Sequence, residues 1–144
     1  MDGIMRRLGS RIRRWAGVLA AMLAVTCLAG CGTAEREKLR ELDALIVSEE
    51  ALPAQLRKLI DEKKAEPFQF TFSDHENLYI CIGYGKQETT GYSIVLNDLY
   101  LTEAELVVDT TLMGPDRSEQ AKKTATYPFI VIRTELVEQP VVYK

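Results

Sequence analysis

The sequence predicts a small α+β domain that is mainly β, with one or two short helices before an antiparallel sheet or sandwich of about five strands. Residues 53–64 carry leucine and isoleucine at helical spacing. From residue 67 onward, apolar residues recur at every second position, which is the period of a strand with one face in water. Turn-forming residues separate these runs, so we expect local connections, as in a meander or small sandwich.

Two helices are predicted before the sheet. The first is a short amphipathic helix from Thr33 to about Glu50, in a segment rich in Glu, Arg, Lys and Ala. The second begins at Pro53, since proline is tolerated in a first helical turn. The apolar positions are Leu39, Leu42 and Ile46 in the first helix, and Leu56, Leu59 and Ile60 in the second.

Five strands are predicted to follow, over residues 67–73, 77–84, 91–101, 103–112 and 127–134. The second of these is apolar on both faces, so we expect it to be central and covered on both sides. In the third, the alternation changes phase at Asn97-Asp98, which indicates a β-bulge. The third and fourth strands are close enough in the chain to form a hairpin. Residues 141–143 add an edge strand at most, because Pro140 precedes them.

The N-terminus has the order of charges of an export signal. Arginines are concentrated in residues 6–14, and an apolar run follows over residues 15–28, in the order typical of an export signal. This run is too short for a membrane span, which needs about 20 residues. The run ends in L-A-G-C, which resembles the bacterial lipobox. The resemblance implies cleavage before Cys31 and a diacylglyceryl group on its sulfur. We therefore expect a signal peptide over residues 1–30, a lipid-anchored stalk over 31–50 and a β domain over 51–144, on the extracytoplasmic face of the cell membrane.

Charge and cysteine content limit the classes of function and the covalent cross-links that we expect. Removal of residues 1–30 lowers Lys plus Arg from 18 to 13 and Asp plus Glu from 21 to 20, which leaves a net charge of −7. A domain this acidic is a poor nucleic-acid binder. Cys81 is then the one cysteine beside Cys31, so no intrachain disulfide is expected within the domain. Its apolar neighbours predict a packed, unreactive thiol.

Nothing in the sequence indicates catalysis. The one histidine, His75, lies in the polar turn S-D-H-E-N, and G-Y-S-I-V lacks the second glycine of a nucleophile elbow. Metalloprotease, P-loop and dinucleotide motifs do not occur. A carboxylate pair for glycoside hydrolysis stays open, because a sequence does not report the separation of its carboxylates. We expect no enzyme activity, catalytic residue, metal or cofactor.

Several short motifs resemble the C-terminal domain of the PrcB family over roughly Ala51 to Arg133. They are L-P-A-Q-L-R-K-L-I, the stretch L-Y-I-C-I-G-Y-G-K-Q-E-T-T-G-Y-S-I, a G-P-D loop and T-Y-P-F-I-V-I. Thr90 stands where the family has a second glycine, and Arg133 where it has a lysine. The resemblance implies a non-catalytic exported lipoprotein, since the family takes its name from a subunit that associates with and stabilises a secreted protease.

The polar loop before the third strand is the candidate protein-binding site. Its residues are Lys86, Gln87, Glu88, Thr89, Thr90, Gly91 and Tyr92. Together with the long loop of residues 113–123, it is expected to project from one end of the sheet, as binding loops on β-scaffolds do. A conformational role is also open: Gly91 at positive φ, the two threonines bonded to the loop's own backbone, and Tyr92 with its ring buried.

Two other binding modes are open. T-T-G-Y resembles the insertion loop of chagasin-like cysteine-protease inhibitors, although Gln87-Glu88 replaces the Asn-Pro of that family. The alternative function is therefore direct protease inhibition through Thr89–Tyr92. An extended partner could instead add to the strand from Tyr127 or to the tail at Val141-Val142. In each case the partner is an envelope or secreted protein, such as a protease, and the membrane is contacted through the anchor.

Overall fold

Two four-stranded sheets and one α-helix are formed by the residues that the computed structural model describes, 37–116 and 120–144. The strands are β1 (Arg40–Glu41), β2 (Leu45–Ile46), β3 (Pro67–Ser73), β4 (Asn77–Tyr84), β5 (Ser93–Leu101), β6 (Leu106–Met113), β7 (Phe129–Glu135) and β8 (Val141–Tyr143), and the helix is α1 (Ala54–Lys63). The mainly β fold class is thus confirmed.

Sheet A has the strand order β1-β5-β6-β8, and sheet B has the order β2-β7-β4-β3. All pairs are antiparallel except β6 and β8, which run parallel. The five predicted strands correspond to β3–β7, and the short strands β1, β2 and β8 are added at sheet edges. Local connection holds for the β3–β4 and β5–β6 hairpins. The prediction of local connections throughout is wrong, because β7 pairs with β4 across the intervening hairpin.

The main core lies between the two sheets. Alternate residues of the central strands point inward, so one set of aliphatic side chains from each strand meets the other sheet. The buried residues of this core are Leu42, Leu78, Ile80, Ile82, Leu99, Leu101, Leu106, Val108, Ile130 and Ile132. The predicted bulge is confirmed by a register shift between Leu96 and Asp98. The shift lets Leu96 and Leu99, which differ in parity, both contact this core.

Helix α1 covers the other face of sheet B. Leu56 and Ile60, one helical turn apart, are fully buried and pack with Phe68, Tyr79 and Cys81. The predicted double coverage of β4 is therefore confirmed. Leu59, predicted on the same face, is 37% exposed. The helix ends at Lys63, and Pro67 disfavours helical geometry at Glu66, so the helix does not extend into β3.

The prediction of a helix from Thr33 to Glu50 is wrong over residues 37–50, which are the part that the structure describes. Residues 37–50 instead form β1, β2 and the beginning of a 3-10 turn at Glu49–Ala51. Of the three residues that suggested the helix, Leu42 is buried, whereas Leu39 and Ile46 are 55% and 59% exposed. Pairing with β5 and β7 outweighs the weak helical pattern, because a short helix without tertiary packing is marginal.

The predicted signal peptide and Cys31 lie outside the described residues, as does the part of the long loop at residues 117–119. Within the described residues, no helix is long and apolar enough to cross a membrane.

Candidate protein-binding site

The candidate loop connects sheet B to sheet A at one end of the sandwich. It leaves β4 after Tyr84 and enters β5 at Ser93. A glycine with positive φ lies near each end of the loop: Gly85 at 69° and Gly91 at 91°. Residues with a side chain rarely adopt this region, so the two glycines allow the chain to turn out of one sheet and into the other. The positive φ predicted for Gly91 is confirmed.

A second segment, residues 120–127, runs beside the candidate loop and leads into β7. Gln87 and Thr126 exchange two backbone hydrogen bonds of 2.8 and 2.9 Å, and the Thr90 N–H donates to the Lys122 carbonyl at 3.0 Å. We call residues 85–92 and 120–127 together the loop pair. Each half limits the freedom of the other, because their backbones share a small ladder.

The threonine hydroxyls in the loop pair join its two halves. The Lys122 N–H donates to Thr90 Oγ1 at 3.1 Å, and the Thr126 hydroxyl donates to the Thr89 carbonyl at 2.8 Å. The sequence-based interpretation that Thr89 and Thr90 bond the backbone of their own loop is therefore corrected. The partners are more than 30 residues away in the chain, so no local turn motif could indicate them.

Below the loop pair, the two sheets are connected through Tyr84. Its hydroxyl lies 3.0 Å from the Thr110 carbonyl, to which it donates, and 2.9 Å from Thr110 Oγ1. The Gln87 side-chain amide donates to the Tyr84 carbonyl at 3.1 Å. Since Tyr84 belongs to sheet B and Thr110 to sheet A, these hydrogen bonds connect the two sheets next to the loop pair.

The outer surface of the loop pair is charged and accessible. Lys86 and Glu88 form an ion pair at 3.2 Å, in which the Glu88 side chain is 83% exposed. Lys122 and Lys123 are exposed as well, and Tyr92 is half-buried. An ion pair this accessible contributes little to stability. Its groups can therefore be re-paired with a partner at small cost.

The histidine and the cysteine that the sequence analysis considered both lie outside this loop. His75 is exposed in the β3–β4 turn, at the opposite end of β4. Cys81 is fully buried in the cluster under α1, as predicted, and this burial raises the pKa of its thiol to about 12, which keeps it protonated. Across residues 37–116 and 120–144, no three His, Cys, Asp or Glu side chains are grouped so that they could hold a metal ion.

Asp74 has the most perturbed carboxyl pKa that is resolved, and its role is local. The Glu76 and Asn77 N–H groups donate to Asp74 Oδ1 at 2.9 and 2.7 Å. The Glu76 bond first, and then the Asn77 bond, lower the pKa of Asp74 from 3.8 to about 2. The Tyr79 hydroxyl donates to the second carboxylate oxygen at 3.1 Å. These contacts hold the turn, as Asp at a turn start commonly does.

Sequence reasoning placed the candidate loop at one end of the sheet and identified part of its second half. The long loop was expected beside it as residues 113–123, and Gly114 does lie near Tyr92, since a Cβ there would be 3.8 Å from Tyr92 Cε1. Of the hydrogen-bonded contacts, those of Lys122 fall within the predicted loop, whereas those of Thr126 lie beyond it. The one sequence feature that included Thr126 was the T-Y-P motif, residues 126–128, at the start of the closing strand.

These features define a helix-covered β-sandwich that presents a braced loop pair at one end. Residues 78–135, from the start of β4 to the end of β7, match the family model described as PrcB C-terminal. The resemblance to this family is thus confirmed over that segment, which includes the loop pair. Comparison with curated proteins and with solved structures gave no match.

Proposed function

We propose that this protein is an exported lipoprotein, anchored through a diacylglyceryl group on Cys31, whose sandwich domain binds and stabilises another envelope or secreted protein without catalysing a reaction. The PrcB C-terminal match supports a partner in a protease complex. The loop pair is the proposed contact surface, with Lys86–Tyr92 as its first half.

The observation that carries this proposal is the bracing of the loop pair. Five hydrogen bonds join segments that are distant in the chain, and two of them use threonine hydroxyls. A surface loop costs conformational entropy when it is ordered by a partner. Here that cost is already met in folding, while Lys86, Glu88 and Lys122 stay exposed. Such preorganisation favours recognition of a protein surface.

Direct inhibition of a cysteine protease through Thr89–Tyr92 is not favoured by this geometry. An insertion loop has to enter a narrow cleft. In this loop, the Thr90 hydroxyl and N–H both bond to Lys122, and the Thr89 carbonyl accepts from Thr126. The second segment therefore lies against one flank of the T-T-G-Y stretch. Inhibition of a papain-type protease by the purified protein would reverse this conclusion.

Partner binding can be tested with charge reversals on the loop pair. We expect the double variant Glu88→Lys/Lys122→Glu to fold normally and to lose the partners that co-purify with the wild-type lipoprotein. Lys58→Glu, an equally simple reversal on the exposed face of α1, is the matched control and should keep them. Mass spectrometry of both eluates gives the comparison. Equal recovery of the same partners with the double variant would refute the loop pair as the contact surface.

The anchor is tested separately. Cys31→Ser should abolish incorporation of a labelled fatty acid and release the protein from the membrane fraction. Cys27→Ser removes the neighbouring cysteine instead and should leave labelling unchanged. Labelling that persists in Cys31→Ser would contradict the proposed anchor without bearing on the loop pair.

A further inference from the structure

One edge of sheet B is only partly covered. The outer neighbour of β7 is β2, whose residues Leu45 and Ile46 pair with Arg133 and Ile132. The Val47 N–H then donates to the Val131 carbonyl at 2.9 Å. After Val47 the chain turns away into the 3-10 turn at Glu49–Ala51. The first part of β7 therefore extends beyond its neighbour.

The backbone of Phe129 faces this uncovered edge. The Tyr84 N–H donates to the Pro128 carbonyl at 3.0 Å, so Pro128 faces β4. Backbone groups of successive strand residues point to opposite sides, so the Phe129 N–H and carbonyl point away from β4. The Val131 carbonyl, two residues on, accepts from Val47 on that same side, which confirms the direction. Within the described residues, no backbone hydrogen bond reaches Phe129 from there.

A groove of about 390 Å³ lies along this edge. Ile94 of sheet A and Ile130 of sheet B contribute its apolar walls, and Ile46, Val47 and Tyr127 line it further. Ile46 is 59% exposed and Tyr127 is 38% exposed. Apolar side chains beside free strand groups are the features that an added strand requires.

We propose that this groove binds an extended, apolar segment of another protein, which adds to β7 as a continuation of β2. The inference rests on the proposed function and gives the class of ligand. Hydrogen bonds to the Phe129 N–H and carbonyl hold the main chain of the segment, while every second side chain enters the groove between Ile94 and Ile130. Binding of this kind depends on main-chain contacts, with pockets for alternate side chains.

The position at which the N-terminal segment joins the sandwich argues for a ligand in trans. The Leu39 N–H donates to the Leu101 carbonyl at 2.9 Å, at the end of β5 away from the loop pair. Ile94 lies seven residues back along β5, a distance of about 23 Å. Because β1 runs antiparallel to β5, the chain that leads into Leu39 comes from the far side of Leu101. The described chain before β1 therefore leads away from the groove, and a segment of another protein is the occupant that we propose.

Charge argues against a second copy as the occupant. The domain from residue 31 onward has a net charge of −7, so two copies repel each other. The rim of the groove carries Glu49, while Lys122 and Lys123 lie on the segment that leads into Tyr127. A neutral, apolar segment from a different protein is not repelled by this net charge.

The test uses the full chain, purified from membranes in detergent, and a phage library of random twelve-residue peptides. We expect enrichment of peptides with alternating apolar residues. Binding should fall about tenfold or more on the variant Ile46→Lys, which lies outside the loop pair, because lysine on an open edge blocks strand addition. Leu136→Lys, at an apolar residue that is 49% exposed beyond the other end of β7, is the matched control and should bind normally.

A second measurement fixes the place of binding. Amide hydrogen exchange at Phe129 should slow by about tenfold or more when a selected peptide is added, since its N–H gains an acceptor. Methylation of the peptide backbone nitrogen opposite Phe129 should abolish binding. No enrichment, equal binding to both lysine variants, or unchanged exchange at Phe129 would each overturn the proposal. So would a dimer in which Phe129 is protected without peptide, because a second copy would then fill the groove.

This outcome is separable from that of the proposed function. If the selection fails while Glu88→Lys/Lys122→Glu still loses its partners, the groove inference falls and the loop pair stands. If peptides bind the groove while that variant keeps its partners, the loop pair falls as the contact surface and the groove inference stands.

Discussion

Replacement of Gly83 by alanine should destabilise the domain by overpacking the layer between sheet B and α1. A Cβ at Gly83 would lie 2.2 Å from Phe68 Cε1 and 2.6 Å from Phe68 Cδ1, whereas ordinary contacts are at about 3.5 Å or more. The ring would have to move by about 1 Å. Phe68 is 9% exposed and packs in the same cluster as Leu56 and Ile60. Forced displacement of this kind costs about 1–3 kcal/mol of unfolding free energy.

Urea unfolding of residues 37–144, followed by circular dichroism, measures this cost. Gly114→Ala is the control, because the nearest atom to its new Cβ, Tyr92 Cε1, is at an ordinary 3.8 Å. We expect that variant to stay within about 0.5 kcal/mol of the wild type. Phe68→Leu removes the obstructing ring atoms, so the two changes should not be additive. The double variant Gly83→Ala/Phe68→Leu should be more stable than the sum of the single effects by about 1 kcal/mol.

Two results would refute this reasoning. One is a Gly83→Ala variant whose unfolding free energy equals that of Gly114→Ala. The other is strict additivity with Phe68→Leu, which would mean that the loss does not come from the ring.

Three further predictions concern the turns and the buried thiol. Gly91→Val should cost about 1–3 kcal/mol in urea unfolding, because φ is positive there, and an unchanged midpoint would contradict the strain. The pKa of Asp74 is lowered from 3.8 to about 2, so its stabilising effect is present above pH 3.8 and is lost as the pH falls toward 2. Asp74→Asn should therefore flatten the pH dependence of stability in that window, whereas a curve parallel to that of the wild type would refute the link. Burial raises the pKa of Cys81 to about 12, so iodoacetamide should modify residues 37–144 only after unfolding, and rapid alkylation of the native domain would show an accessible thiol.

The long strands could be predicted because each carries its own pattern. Phe68, Phe70 and Phe72 alternate with polar residues in β3, and the phase change at Asn97-Asp98 coincides with the observed bulge. Burial on a pleated surface imposes this period wherever a strand has one wet face. The candidate loop was found for the same reason, since it separates two patterned segments.

The edge strands β1 and β2 could not be predicted, because a strand of two residues contains no period. Leu39, Leu42 and Ile46 have helical spacing, yet their structure is set by pairing with Leu101, Leu99 and Ile132. Contacts so distant in the chain leave no local signal. The same is true of Thr90 with Lys122 and of Gln87 with Thr126, whose residue types would suit any surface loop.

The segment 37–47 supplies an outer strand to each sheet, β1 to sheet A and β2 to sheet B, which has a practical consequence for recombinant production. A fragment that starts at Ala51, where sequence alone would cut, loses both strands and leaves the flanks of β5 and β7 bare. Such a fragment should aggregate, because exposed strand edges pair with other chains. One that starts at Glu37 keeps both flanks covered as in the whole protein, and is the version to purify.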